Sequence, residues 1–197
     1  PPPTPPPPPP PPPPSPPPPA PHPYKRQDAG RDTLDKTAAA WQDRFTEVTS
    51  RTSGDGAYFA DIRKALAQTI WQNAGPVRSA ESLDKGQQDL AALDAAYASC
   101  WIGDSSPVYN TAFSQYIELG SMLTVAHGIV AGALARAESR GGHFRQDFPK
   151  RDDTHFLKHT LVSCHDGGYE VDAQAVTITK YPPQDPQAKG AKEGGKA

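Results

Sequence analysis

The amino-acid sequence predicts a mainly α-helical protein, a three- to four-helix bundle with a small C-terminal β element, preceded by a disordered polyproline arm. Four segments between positions 33 and 138 repeat apolar residues at helical spacing. Short segments after position 160 have strand-like composition, and 19 of the 25 prolines lie in the first 23 positions. We therefore expect the arm at 1–30, one folded domain at 31–183 and a disordered tail at 184–197.

The proline-rich arm cannot form helix or sheet, because proline lacks the amide hydrogen and fixes φ. We expect a polyproline II conformation, and the low complexity favours a spacer or a disordered tail. A ligand for SH3-type or WW-type grooves is the alternative. Such ligands usually carry a basic residue beside the prolines, whereas Lys25 and Arg26 follow the run. The arm also lacks the basic and apolar regions of a signal peptide.

Four helices are expected from apolar residues that recur every three or four positions: 33–49, 58–75, 79–99 and 110–138. The first carries an apolar face of Leu34, Ala38, Trp41, Phe45 and Val48. Gly75-Pro76 ends the second, because proline disfavours helical backbone in the residue before it. Ser79 is a favourable N-cap for the third.

The fourth helix contains three glycines, Gly120, Gly128 and Gly132. Each costs about 1 kcal/mol relative to alanine in a helix. We expect another backbone to lie very close, which makes this helix the buried centre of the bundle. Gly128→Leu should then destabilise the domain by more than about 1 kcal/mol through overpacking.

The β element is expected from three strand-like segments, at 160–163, 169–172 and 176–181. The sequence His165-Asp166-Gly167-Gly168 between the first two is typical of a turn. Order should end at Pro182-Pro183.

Charge and composition exclude several classes of function. Twenty basic against 22 acidic residues give a formal net charge of −2, so we expect no nucleic-acid partner. No uninterrupted run of 18 apolar residues occurs, and we expect no direct membrane insertion. Two cysteines, Cys100 and Cys164, cannot form a disulfide framework, which favours a reducing compartment.

The motifs that carry chemistry are weak or absent. His155 and His159 have the spacing of metal ligands on a helix, but Phe156 stands where a zinc protease needs a glutamate. We interpret these histidines as structural, with Phe156 and Leu157 as core anchors. Glycine-rich dinucleotide and phosphate loops and a serine nucleophile elbow are missing. Cys100 should be a buried, inert thiol, so we expect no catalytic, cofactor-binding or metal-binding residues.

A charged stretch from Arg140 to His159 is the best candidate for a site, since it holds five Lys or Arg, three Asp and three His in 20 residues. Phenylalanines interleave with these charges. Arginine–carboxylate forks among apolar neighbours suit a packed interface or an internally bonded loop, while a solvated loop and direct catalysis remain alternatives. The candidate interface or structural residues are Arg140, His143, Arg145, Asp147, Arg151, Asp152, Asp153 and His159.

The same stretch carries a family resemblance. Its motifs are Glu138-Ser-Arg-Gly-Gly-His143, Arg145-Gln-Asp-Phe-Pro149, Arg151-Asp-Asp153 and Phe156-Leu-Lys-His-Thr-Leu161. Together they resemble the C-terminal domain of succinate dehydrogenase and fumarate reductase flavoprotein subunits, over roughly residues 50 to 185. The family usually has alanine where Gly142 stands. L-aspartate oxidases share the Ser-Arg-Gly core but match the continuation less well.

This resemblance implies a helical domain docked on a larger flavin domain, within an FAD-dependent oxidoreductase that interconverts succinate and fumarate. The family's FAD-binding and catalytic regions precede this domain and have no match here, so FAD is expected in the full-length family and not in this chain. The implied partners are the flavin-binding domain, of the same or a companion chain, and an iron–sulfur subunit. The implied location is the bacterial cytoplasm, peripheral to the inner membrane through partner subunits. The alternatives are a standalone protein–protein interaction module with a polyproline spacer and an L-aspartate oxidase-type C-terminal domain.

Overall fold

The computed structural model describes residues 30–165 and 168–180. The expected polyproline arm, the turn residues Asp166 and Gly167 and the tail after position 180 lie outside them. The elements follow in chain order: α1 (Arg31–Ser50), α2 (Phe59–Ala74), β1 (Val77–Arg78), α3 (Ala80–Ser99), α4 (Thr111–Ala135), β2 (Phe144–Arg145), α5 (Asp153–Phe156), β3 (Lys158–His165) and β4 (Gly168–Ala175). The predicted class, helical with a small β element, is confirmed.

The chain divides into two units, residues 1–41 and 42–197. In the first unit, the described residues form the N-terminal half of α1, where Leu34 and Trp41 are mostly exposed. The apolar face predicted for the first helix is therefore not buried over this half. In the second unit Val48 is fully buried, and Phe45 meets Phe113 edge-on with ring centroids 4.9 Å apart.

Helices α2, α3 and α4 enclose the core of the second unit. Leucines from all three helices are at most 2% exposed: Leu66, Leu83, Leu90, Leu119 and Leu123. Burying such side chains contributes about 1.5–3 kcal/mol each. The core therefore fixes the relative positions of the helix ends.

Local signals explain where two of the helices begin. The Ser79 hydroxyl accepts a hydrogen bond from the amide of Ser82, and the Ser82 hydroxyl accepts one from the Ser79 amide, which completes a capping box. The Asn110 side chain accepts from the amide of Phe113 at 2.7 Å, at the start of α4. The predicted Ser79 cap is confirmed.

Close approach to the glycines of α4 comes from side chains, which corrects the expectation of a neighbouring backbone. A Cβ atom on Gly120 would lie 2.5 Å from the hydroxyl oxygen of Tyr97. On Gly132 it would lie 3.2 Å from Val162, and on Gly128 it would meet Val162 only at an ordinary 3.8 Å. Gly120, not Gly128, is thus the position where an added side chain would force a neighbouring side chain to move.

The β element is a hairpin of β3 and β4, which pair antiparallel from Lys158↔Ala175 to His165↔Gly168. The hairpin packs on α4. The strand expected at 176–181 is wrong over its described residues 176–180, which form no strand. Because all eight residues of β3 pair with β4, the ladder ends at Ala175 and β3 has no residue left to extend it. The parallel pair β1–β2, two residues long, is too short to leave a sequence pattern.

Helix α4 is the most apolar element. By length and composition alone it could cross a membrane, although only 28% of its most apolar 18-residue window is buried inside the described structure. It ends at Ala135, three residues before the predicted end, because Arg136 turns the backbone to extended angles.

Candidate functional site

Residues 136–153 connect α4 to α5 and include the first residue of α5; we call this segment the junction. Seven of the eight predicted site residues lie in it. His159 lies apart from them. It is exposed on β3, across from Gln174.

Arg145 is the most deeply buried arginine of the junction, with 2% of its surface exposed. Its Nη1 donates to the carbonyl oxygen of Ala133 at 2.9 Å, and at 3.4 Å to those of Leu134 and Arg136. The last carbonyls of a helix have no partner within it and carry partial negative charge. Arg145 therefore caps the carboxyl end of α4.

Asp147 connects this cap to the next helix. Its Oδ1 and Oδ2 atoms accept hydrogen bonds from Nε and Nη2 of Arg145, at 2.8 and 2.6 Å. Oδ2 also accepts a hydrogen bond, at 3.0 Å, from the amide of Ala80, the first residue of α3. The hydrogen bonds from Arg145 hold the pKa of Asp147 well below its usual range. One arginine–carboxylate fork thus joins the end of α4 to the start of α3.

Glu138 is completely buried and forms the second centre of the junction. It accepts from Nε and Nη2 of Arg140 at 2.7 and 2.9 Å, from the amide of Asp152 at 2.8 Å, and from Arg136. Burial alone would raise the pKa of Glu138, but the hydrogen bonds from Arg140 and Asp152 outweigh it and the pKa is lowered. The buried carboxylate is therefore ionised and fully bonded.

Two further aspartates extend the network. The carboxylate of Asp153 accepts hydrogen bonds from Nη2 of Arg140 and from Nη2 of Arg151, both at 2.6 Å. The hydrogen bond from Arg140 lowers the pKa of Asp153. Asp152 caps α5 and bonds Nδ1 of His155 at 2.8 Å, which lowers the pKa of Asp152. These contacts fix α5 against the junction.

His143 lies half-buried between two elements. Its Nδ1 is 3.0 Å from Nη1 of Arg78 and its Nε2 is 3.1 Å from the carbonyl oxygen of Arg136. Burial lowers the pKa of His143. The neutral tautomer that fits accepts from Arg78 through Nδ1 and donates to Arg136 through Nε2, so this ring joins β1 to the end of α4.

The chemistry of the junction is that of a set of matched ion pairs. General acid–base catalysis requires a pKa near the working pH, whereas hydrogen bonds hold the pKa values of these carboxyl groups low. The arrangement favours the internally bonded loop over the interface among the alternatives read from the sequence.

The predicted site residues omitted three participants: Arg136, Glu138 and Arg78. A pattern that could have identified the first two is the alternation Arg136-Ala-Glu138-Ser-Arg140, which places one carboxylate between two guanidinium groups. Arg78 had no such pattern, because its partner His143 is 65 residues away.

The predicted structural role of the histidines fits their contacts in part. His155 bonds Asp152, and within residues 30–165 and 168–180 no group of three or more His, Cys, Asp or Glu could hold a metal ion. Phe156 and Leu157 are half-buried and outside the core, so the expectation of core anchors is wrong. The Phe156 ring instead contacts the guanidinium of Arg136, 5.8 Å from its centroid.

The flavin expected in the family does not fit the residues described. A dinucleotide site needs a glycine-rich turn between a strand and a helix, and the sequence has no Gly-x-Gly-x-x-Gly. Cys100 is buried as predicted, and burial raises the pKa of its thiol.

The clefts that the described residues line outside the junction include the following two. One, of about 380 Å³, is lined by polar residues that include Asp94, His127 and Cys164, with Nε2 of His127 2.7 Å from Asp94. The other, of about 410 Å³, lies between α2 and α4 and is almost entirely apolar. We call the second the α2–α4 groove; its lining includes Leu66, Ile70, Glu118, Met122, Val125 and Ile129.

Comparison with known proteins identifies the family. The family model described as the C-terminal part of the fumarate reductase flavoprotein matches residues 63–188. The fumarate reductase flavoprotein subunit of Mycobacterium tuberculosis is 42% identical over 141 residues, which are 71% of this chain and 24% of that subunit. The 8-methylmenaquinol:fumarate reductase flavoprotein subunit of Wolinella succinogenes is 39% identical over 128 residues, 65% of this chain and 21% of that subunit.

Solved structures agree. A variant of Escherichia coli quinol fumarate reductase superposes with a TM-score of 0.72 at 32% identity, over 82% of this chain and 28% of that one. An adenosine-5-phosphosulfate reductase shares the fold, with a TM-score of 0.61 at 17% identity. The chain spans about a quarter of the length of the relatives it matches. It therefore belongs to the succinate dehydrogenase and fumarate reductase flavoprotein family, as a match to the C-terminal domain of that subunit.

Proposed function

We propose that this chain serves as a docking and stabilising domain for the flavin-binding part of a succinate dehydrogenase or fumarate reductase flavoprotein, and that it performs no catalysis alone. In this proposal FAD and the dicarboxylate bind to the larger part, in the same or a companion chain. An iron–sulfur subunit accepts or supplies the electrons. The assembly lies in the cytoplasm, peripheral to the inner membrane through partner subunits.

The observation that carries the proposal is the pairing of charge in the junction. Arg145 bonds the end of α4, and Asp147 bonds both Arg145 and the start of α3. Glu138 is buried and bonded by arginines. Groups used in this way stabilise the domain, and the lowered carboxyl pKa values leave them ionised at neutral pH, which suits rigid support better than proton transfer.

The test uses the complete 197-residue chain and the flavin-binding part of the M. tuberculosis relative, expressed without its own matched C-terminal region. Mixed with FAD alone, the chain should leave the flavin absorbance spectrum unchanged and should show no succinate–dye turnover. Mixed with the flavin-binding part, it should form a complex on gel filtration and raise the melting temperature of that part.

Two outcomes would show the proposal to be wrong. One is FAD binding or succinate turnover by the chain alone. The other is failure to form the complex at concentrations of about 100 μM, since docking weaker than this would not sustain an assembly. An unrelated helical domain of similar size is the negative control.

A further inference from the structure

The α2–α4 groove exposes large apolar side chains in one place. Val125 is 61% exposed and Ile129 44% exposed, both on α4 and both lining the groove. Single exposed apolar residues are ordinary, but a contiguous apolar patch marks an interaction surface.

The composition of α4 points to the same conclusion. The helix is apolar enough to cross a membrane, yet only 28% of its most apolar window is buried by the rest of the described structure. Its inner face, with Leu119 and Leu123, already fills the core. The remaining apolar surface on its outer face is in excess of what this fold can cover.

The relatives indicate what covers it. In the M. tuberculosis subunit the matching region is 24% of the chain, and in the E. coli structure it is 28%. In both proteins this domain therefore shares a chain with a part about three times its length. Every relative reported above carries such a larger part in the same chain as the matching domain.

The two other occupants fit the surface less well. A membrane requires a convex apolar face, whereas this surface is a groove of about 410 Å³ with the carboxylate of Glu118 in its lining. A two-fold interface uses the same patch on both copies, so a second copy would have to supply a matching ridge from beside its own groove.

We propose that the α2–α4 groove is the docking surface for an apolar ridge on the flavin-binding part of the flavoprotein subunit. This inference rests on the proposed function and adds the face at which the domain docks. Within the groove, Val125 and Ile129 of α4 and Ile70 of α2 make the contact, and Glu118 with its partner Arg63, 3.5 Å away, forms the polar rim.

The test compares two variants of the 197-residue chain that carry the same valine-to-glutamate substitution at different positions. Val125→Glu puts a charge in the groove. Val108→Glu makes the same change at a valine of matched exposure, 63% against 61%, in the loop before α4. Affinity for the flavin-binding part of the M. tuberculosis relative is measured by isothermal titration, and melting temperatures confirm that both variants fold.

Val125→Glu should weaken binding about tenfold or more, as expected for a buried interface position, and Val108→Glu should leave it within about twofold. If the wild-type chain binds and Val125→Glu binds equally well, the groove inference is wrong and the proposed function stands. If the wild-type chain does not bind at all, the proposed function itself fails.

Two further measurements test the other occupants. Sedimentation of the chain alone detects a second copy, and flotation with anionic lipid vesicles detects membrane binding. The expected result is a monomer that does not float. A dimer, or vesicle binding, that Val125→Glu abolishes would overturn the inference, because the groove would then serve a second copy or a lipid surface.

Discussion

The junction and the α2–α4 groove differ in almost every physical property. The junction is dense in charge, and its buried groups, Arg145 and Glu138, are bonded to neighbours in the same chain. The groove has little charge, and its side chains Val125 and Ile129 remain 61% and 44% exposed. The junction is easily recognised in the sequence as a segment rich in arginine and aspartate, yet its charged groups bond to one another within the chain. The α2–α4 groove is the surface that leaves apolar side chains exposed.

The difference follows from the energetics of the two kinds of group. A buried charge is costly unless it is paired, so evolution of a buried arginine requires its carboxylate partner nearby. An apolar side chain at the surface costs far less, about 25 cal/mol for each Å² exposed. The first feature is therefore typical of internal structure and the second of a surface that another molecule covers.

The largest effect is expected at Arg145. Arg145→Met keeps the aliphatic volume but leaves three carbonyl oxygens at the end of α4 and the carboxylate of Asp147 without this donor. We expect the free energy of unfolding to fall by about 3–5 kcal/mol, measured by urea denaturation.

Arg63→Met is the matched control, since Arg63 pairs with Glu118 at 3.5 Å and 42% of its side chain is exposed. Exposed pairs contribute about 0–1 kcal/mol. Equal losses in the two variants would show that the junction is no more structural than the surface.

Lowering the pH should destabilise the folded domain through the carboxyl groups of the junction. Hydrogen bonds lower the pKa values of Glu138 and Asp147, and a carboxyl group of this kind stabilises the folded state fully above its unfolded pKa of about 4. That stability is lost as the pH falls through the folded pKa. We expect the urea midpoint to decrease below about pH 4.

In Arg145→Met the same decrease should be shallower, because Asp147 no longer gains from ionisation. An unchanged slope would mean that Asp147 is not coupled to Arg145. The groove variant Val125→Glu should keep the wild-type slope, since it removes none of these hydrogen bonds.

A smaller effect tests the packing behind both regions. Gly120→Ala should destabilise by about 1–2 kcal/mol, because its Cβ would lie 2.5 Å from the hydroxyl oxygen of Tyr97, which is held by a hydrogen bond to the carbonyl of Tyr116. Gly128→Ala meets only an ordinary contact at 3.8 Å and should stabilise by up to about 1 kcal/mol. Thermal melting ranks the two, and the opposite order would refute this account of α4.

The smallest effect concerns the groove in the free domain. Val125→Glu replaces an exposed side chain, so the free energy of unfolding should change by less than about 0.5 kcal/mol. A loss above about 2 kcal/mol, near that of a buried position, would show that Val125 belongs to the core and not to a docking surface.

The sequence was sufficient for four of the five described helices and for the segment that holds the site, while the four-residue helix α5 was missed. Ser79 and Gly75-Pro76 mark boundaries by local chemistry, and the four apolar periodicities are helices in the structure. The third expected strand failed at 176–180 because strand pairing depends on partners far along the chain, and β4 had already paired with all of β3.

The role of the site residues needed three dimensions. The sequence places Arg145 near Asp147. It does not show that Arg145 caps α4, or that Asp147 accepts a hydrogen bond from the amide of Ala80, 67 residues away. The groove was missed for a similar reason. Val125 and Ile129 have the composition of core residues, and only the packed bundle shows that they point away from the core.

The most direct test compares the affinities of two variants of the complete chain for the flavin-binding part of the M. tuberculosis relative. Val125→Glu changes the groove, and Phe144→Glu changes a junction side chain that is 41% exposed. The account predicts that Val125→Glu weakens binding about tenfold or more while Phe144→Glu changes it by less than about twofold. Strong weakening by Phe144→Glu with none by Val125→Glu would contradict it, since the junction would then be the docking surface.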